Sequence, residues 1–583
     1  MDYYSIGKRL GLSGEVKPSE ELVSCASFLG LNPNEIIIRA RVLMLLSLVV
    51  SSVVIMLFSN NVFFTLIGVL VSMIIYYYFT EKPKWVFKEE RLKALGYAPE
   101  IITVFGTGLM LNPSLERGFK LVSDSCVGRV SDDFRAAYKN SILFGEPLVD
   151  ALNRIAVTWG EFSEGFRRGI HLISTGLKGD LSVIDKGINI FFNGVTNDLR
   201  KYLARVKTHT LVLFSFGTIM PLIIISMLPV IAILDANSNP WFIAGFLIVN
   251  LLLLNQYASY ILTKRPLTFS QVSTKPLRRG FIKFKSFEVP GVPYALIVFF
   301  VISSPSLIHF FAGSLGGFFP LQENLSTIPL VIGLCVSLSL YHYGKSNSLM
   351  VERLKAVKCE KELLDVTYSI GSVIQEKRSF EDALRVVINS NKGKLLAGHL
   401  KNAYNSIKEL SVDNEKAVIS ELVKTNSKRV LSVFNLIFMG LKQGITNGAE
   451  NVFRIYEHFN RMYNCEEESK ALLEQVLSMM SITVLVFAPL ISAFIVVMQN
   501  LIEVNMSDLD GYGFNFINTN TSVSLMILML GFYLAGLVFV LTKYQVLLRN
   551  GPDDVLVSHE LSRNFLVSTG VFLVTLLVSL VIF

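Results

Sequence analysis

Hydrophobic positions along the chain gather into runs long enough to cross a bilayer, separated by two long stretches in which apolar residues recur at helical spacing. A crossing helix needs roughly 20 apolar residues, and about nine segments meet that measure. They cover residues 42–58, 62–78, 211–234, 241–262, 292–311, 328–343, 476–498, 523–541 and 565–583. The sixth is short and is interrupted by Gly333. In the first polar stretch, Leu115, Phe119, Leu121 and Val122 share a helix face, as do Leu148, Ala151, Leu152 and Ile155. A last helix carries Leu181, Ile184, Ile188, Phe191, Phe192 and Val195 and runs on into the third span. The second polar stretch predicts helices over residues 351–375, 379–389, 395–407, 415–425, 429–442 and 449–475. Neither stretch alternates strands with helices, so the expected fold is all-α, with a bundle of about five or six helices in each block.

The plan occurs twice. Two apolar spans, a polar helical block and two more spans run from about Val42 to Thr263, and again from about Val292 to Thr542. Gly106, Ser114 and Glu116 answer Gly371, Ser379 and Glu381 at the same internal spacing. Gly176-Leu-Lys178-Gly179 answers Gly440-Leu-Lys442-Gln-Gly444, and Pro221-Leu-Ile answers Pro489-Leu-Ile. Because each half holds an even number of spans, the expectation is a parallel internal repeat of two homologous bundles.

Composition agrees with a polytopic helical membrane protein: 51% of the 583 residues are hydrophobic and 17% charged. Lys264, Arg265, Lys275, Arg278, Arg279, Lys283 and Lys285 crowd the connection after the fourth span, whereas residues 499–521 carry acids and no base. Basic loops stay inside. The N-terminus and both polar blocks are therefore expected in the cytoplasm of a multi-pass cell-membrane protein, with the C-terminus external. The formal net charge of +8 is mostly the signature of that orientation and of anionic lipid, and nothing beyond charge suggests nucleic acid. The first 41 residues read as a polar helical arm and not as a secretory signal. The five cysteines form no CxxC pair, which argues against a disulfide framework or zinc site.

Motifs for chemistry are missing from the sequence. There is no GxxxxGK[ST] phosphate loop, no HExxH or HxxxH pair among the seven histidines and no nucleophile motif. Asp132-Asp133 and Glu466-Glu-Glu468 read as solvated helix faces before they read as cation sites. The expectation is a protein without catalytic residues, cofactor or metal. Its spans carry neutral polar residues such as Asn250 and Gln256 instead of charges, whose insertion costs roughly 2.5–3.5 kcal/mol each near the bilayer centre.

The paired pattern of Gly, a helix opened by Ser-Leu/Phe-Glu, a Gly-Leu-Lys turn and an apolar span with a central proline resembles the type II secretion F-domain family. The likeness covers residues 92–230 and 354–498, and the flanking hairpins match the archaeal platforms of type IV pilus and archaellum assembly. It implies a six-helix bundle for each block. It also implies contact with a hexameric secretion ATPase and with pilin-like or archaellin-like subunits, alongside membrane lipids, and leaves a homo-oligomer open. The first copy departs from the second at Asp180.

The expected organisation is a helical arm at 1–41, a membrane hairpin at 42–79 and a first F-type domain at 80–208. A hairpin at 209–263 and a basic linker at 264–291 follow. Then come a hairpin at 292–344, the second F-type domain at 345–475, a hairpin at 476–542, a linker at 543–564 and a last span at 565–583. Partner-binding candidates are Lys178 and Lys442 on the matched turns, with Arg117, Arg167, Arg168, Lys428 and Arg429 as secondary choices; Pro221 and Pro489 are the hinge candidates. A lysine at a helix end is also what the helix dipole favours without any partner. The competing function is the membrane component of an ATP-driven exporter or other transporter.

Overall fold

The computed structural model describes residues 32–58, 94–160, 163–176, 182–226, 240–263, 281–283, 288–311, 326–442, 445–510, 523–551 and 553–582, with scattered positions among residues 19–93. The chain divides into two compact units, Met1–Lys93 and Ala94–Phe583. In the first, helix α1 (Pro33–Phe58) begins with Glu35 in its first turn, where a negative charge suits the helix dipole, and Arg39 pairs with it one turn on.

The described residues of the second unit are helical almost throughout. Its first polar block comprises α2 (Ala98–Leu111), α3 (Leu115–Ser125), α4 (Arg129–Phe144), α5 (Leu148–Gly160), α6 (Glu164–Gly176) and α7 (Ser182–Phe214). A five-residue π turn, Ser215–Ile219, joins α7 to α8 (Met220–Ser226) without a break, and α9 (Pro240–Thr263) follows. The basic linker departs from the all-α expectation: Phe281–Lys283 (β1) pairs antiparallel with Glu288–Pro290 (β2). A three-residue strand is too short for its period to stand out in sequence.

Helices α10 (Gly291–Phe311) and α11 (Ile328–Gln375) come next, then α12 (Phe380–Ser390), α13 (Leu395–Leu410), α14 (Asn414–Leu422), α15 (Lys428–Leu441) and α16 (Ile445–Ile482). A second π turn, Thr483–Phe487, leads into α17 (Ala488–Asp510), followed by α18 (Val523–Asn550) and α19 (Asp554–Ile582). Gly333 does not interrupt α11. It lets that helix lie against α10, where a Cβ would collide with Ser303 Oγ and sit 3.3 Å from the Phe299 carbonyl.

Among the described residues, five helices are long and apolar enough to cross a membrane: Ile243–Leu262, Gly291–His309, Asn447–Leu501, Val523–Asn550 and Asp554–Ser579. Residues 59–71 and 227–239, which hold parts of two expected spans, lie outside the described residues. The expected sixth span is the first part of α11, a single helix that continues into the second polar block.

Two cores organise this unit. One is built by the apolar helices, with Leu213, Leu254, Val484, Leu530 and Phe565 all at most 4% exposed. The other belongs to both polar blocks at once: Phe105, Phe119, Ile188, Ile370, Phe434 and Phe459 are part of one continuous buried cluster. Helix α2 explains the fusion. Its sequence is mostly apolar, with Glu100, Thr103 and Thr107 the exceptions, every residue but Met110 is buried, and it packs against α3 and α7 of its own block and α15 and α16 of the other. A helix hydrophobic on all faces needs neighbours on all faces.

Candidate functional site

The two blocks meet along α7 and α16, which lie side by side and point the same way. Residue numbers rise together along the seam: Arg461 Nη1 donates to Asp185 Oδ1 and Asn189 Oδ1, both at 2.8 Å, Thr196 Oγ1 lies 3.1 Å from Cys465 Sγ, and Arg200 pairs with Glu468. Behind the first rung, the hydroxyl of buried Thr107 is 2.8 Å from His458 Nδ1, and His458 Nε2 is 3.2 Å from Asp185 Oδ1. The order hydroxyl, imidazole, carboxylate is that of a nucleophilic triad. Thr107, however, is fully buried on α2, so these bonds tie helices together. The His458 hydrogen bond and Arg461 hold the Asp185 carboxyl down at about 2, against the opposing effect of burial.

A second polar cluster sits deeper. Arg429 Nη1 lies 3.3 Å from Glu360 Oε2 and 3.2 Å from Glu466 Oε2, with all three side chains at most 10% exposed. Ser427 Oγ donates to Glu360 Oε1 at 2.7 Å, Lys470 pairs with Glu466 at 2.9 Å, and the Arg429 guanidinium lies 5.4 Å from the Tyr463 ring centroid. Burial works against the Arg429 charge, but Glu360 and Glu466 outweigh it and raise the pKa further. Within this cluster, the first block supplies Glu100, 3.4 Å from Ser432 Oγ. Burial pushes the Glu100 carboxyl up to about 7, against the attraction of Arg429. A protonated Glu100 can donate to Ser432 while Ser432 donates to the Ser125 carbonyl at 3.1 Å.

Arg429 therefore corrects the sequence reading, which offered it as a secondary candidate for an exposed partner surface: it is buried and paired with Glu360 and Glu466. The remaining candidates divide as follows. Arg117, Arg167, Arg168 and Lys428 are exposed, and Arg168 is paired with Glu164. Lys442 is exposed and ion-paired with Glu415 at 2.6 Å. Lys178 lies outside the described residues. Sequence reasoning missed a different surface feature. Ile142, Leu143 and Phe144 are 61, 71 and 79% exposed at the end of α4, and Leu410 is 72% exposed at the end of α13. Each of those helices stops at a left-handed residue, Gly145 or Ser411. The available signal was an apolar triplet running directly into a glycine, off the helix's buried stripe.

Both hinge prolines follow π turns. A proline offers no N–H, and its ring collides with the carbonyl four residues back, which for Pro221 is that of Gly217. The wider turn relieves the collision: the Met220 N–H reaches the Ser215 carbonyl, and the Ala488 N–H reaches that of Thr483 before Pro489. The Gly217 carbonyl accepts instead from Tyr533 Oη at 2.6 Å, and Asn250 Nδ2 donates to the Phe216 carbonyl at 3.2 Å. The offset from Pro221 to Pro489 equals that from Arg200 to Glu468 and from one π turn to the other. Ser114 and Ser379 precede the second helix of their blocks, and Gly176 and Gly440 lie at the ends of the fifth.

Among the described residues no group of three or more His, Cys, Asp or Glu is arranged to hold a metal ion. No family model, curated protein or solved structure matches the chain.

Proposed function

We propose that the chain is the membrane platform of a type II secretion, type IV pilus-like or archaellum-like assembly machine, coupling a separate hexameric ATPase to the insertion of pilin-like subunits. The observation that carries this reading is the pair of long helices. Each leaves a six-helix polar block, passes a π turn and a proline at the same offset, and continues as apolar helix. On this reading the blocks are homologous halves of a parallel duplication, the chain crosses the membrane about nine times, and both blocks face the cytoplasm.

Force applied to either block would reach both, because they share one core and the ladder along α7 and α16. The proline turns are where that motion would pass into the membrane helices. The partner surface would combine the exposed bases Arg117, Arg167, Arg168, Lys428 and Lys442 with the apolar ends of α4 and α13. Copurification tests the assignment: the full-length protein should retain a filament-assembly ATPase from its own cells, and deletion should abolish surface filaments. Retention of a transport ATPase with filaments intact would replace this reading with the exporter one.

A further inference from the structure

Where α7 turns from polar to apolar, a cavity of about 280 Å³ opens between it and the C-terminal end of α9. Lys201, Arg205 and His209, spaced one helical turn apart, line it on one side, and Tyr260 lines it on the other. The wall is built before any ligand arrives. Tyr202 donates to the Ile261 carbonyl at 3.2 Å, and His209 Nδ1 is held 2.8 Å from the Tyr257 hydroxyl, leaving Nε2 for a ligand. Lys201 faces Asp198, whereas Arg205 has no ion pair among the described residues. Next to it, Leu211 on α7 is 43% exposed, and Tyr260, 49% exposed, belongs to α9, which is long and apolar enough to cross a membrane.

We infer that this cavity binds the phosphate headgroup of an anionic glycerophospholipid, with Arg205 and Lys201 on the phosphate and His209 and Tyr260 at the glycerol level. The level of the site favours lipid over a soluble phosphate. A basic pocket next to an exposed apolar helix face receives the headgroup while the acyl chains lie along that face, and a tyrosine at this boundary suits the interfacial layer. Asp198 at the polar end repels a second anionic group, which fits a phosphodiester better than a multiply phosphorylated headgroup. The inference rests on the membrane-spanning length and apolar character of α9 and on the exposed Leu211 of α7, not on the proposed assembly role.

The test uses full-length protein in a zwitterionic detergent, titrated with phosphatidylglycerol, phosphatidylcholine or inorganic phosphate while thermal unfolding is followed. Phosphatidylglycerol should raise Tm, phosphatidylcholine should not, and Lys201→Gln/Arg205→Gln should weaken the response roughly tenfold or more, as expected for lost charge-assisted bonds. Arg205→Lys, which keeps the charge, should retain part of it. Equal protection by inorganic phosphate at the same concentration would make this a soluble-anion site and overturn the lipid assignment; an unchanged response in the double variant would overturn the site itself. Should the double variant fail to fold, a photoreactive phosphatidylglycerol on the wild-type protein decides: crosslinks must fall within residues 198–209 and 257–263, and crosslinks only elsewhere reject the proposal. Release of the chain by alkaline carbonate would instead refute its membrane character.

Discussion

The two polar blocks reach the same helix order by different local chemistry. The first packs aromatics: Phe105, Phe119 and Phe134 have ring centroids 4.9–5.7 Å apart, and two of its turns rely on Gly128 and Gly145 with positive φ. The second fixes three of its helix starts with side chains, since Ser379, Asp413 and Ser427 accept from the N–H groups of Asp382, Lys416 and Val430, where the first has Ser163 accepting from the Phe166 N–H. Ser114, at the place matching Ser379, makes no such bond. The second block also buries a cation with two carboxylates, to which the first adds Glu100 alone. What the blocks have in common is placement, of turns, of the long helix and of the π turn before its proline. Their interior chemistry differs.

Removing the cation should have the largest effect. Arg429→Met leaves Glu360 buried without a cation and Glu466 with Lys470 alone, and should cost about 3–5 kcal/mol of stability, read as a large fall in Tm. Combining it with Glu360→Gln and Glu466→Leu should restore much of the loss. A Tm unchanged by Arg429→Met would mean that the second block is not held by its ion cluster.

Glu100 makes the contrast depend on pH. Its folded pKa of about 7 lies above the ordinary 4.5, so the folded protein holds a proton that the unfolded chain releases. Stability from this group is intact below about pH 4.5 and declines as pH rises toward 7, by about 3 kcal/mol in all. Glu100→Gln should flatten the Tm profile between pH 5 and pH 8 and raise Tm at the alkaline end. An unaltered profile would remove Glu100 as the source.

The caps separate the blocks on a finer scale. Ser379→Ala should destabilise by about 1 kcal/mol, whereas Ser114→Ala should change little, because its hydroxyl bonds no helix N–H. Equal costs would erase this difference between the blocks. Smallest of all, Lys442→Glu should shift stability by less than about 0.5 kcal/mol, since its pair with Glu415 is exposed. A larger shift would mean that the pair with Glu415 contributes to the fold.

Helix order was legible because period, caps and turn residues act over short distances. Gly145 before Leu148, Gly176 at the end of α6 and the start of α12 after Ser379 all fall where the residues place them. Which surfaces come together was harder to read. Arg429 next to Lys428 looks like a solvated basic pair. The contrary sign was that both sit in the first turn of α15, where the helix dipole disfavours cations unless a partner compensates. Likewise Glu100, in the first turn of α2, has the residue type expected at a solvated helix start, and only the apolar run that follows it hints at burial. The π turns left only their prolines as a trace.

A π turn holds about one residue more than an α turn, and each residue advances a helix by roughly 100°. Thr483–Phe487 therefore acts as a phase shift inside a rod about 100 Å long, running from Ile445 to Asp510. The stripe that α16 turns toward the first block and the stripe that α17 turns toward its apolar neighbours need not lie on one straight line. The matching shift at Ser215–Ile219 keeps the two rods in step. Deleting one residue from either turn would leave two well-formed helices with their faces rotated out of alignment, like a gear pair assembled one tooth off.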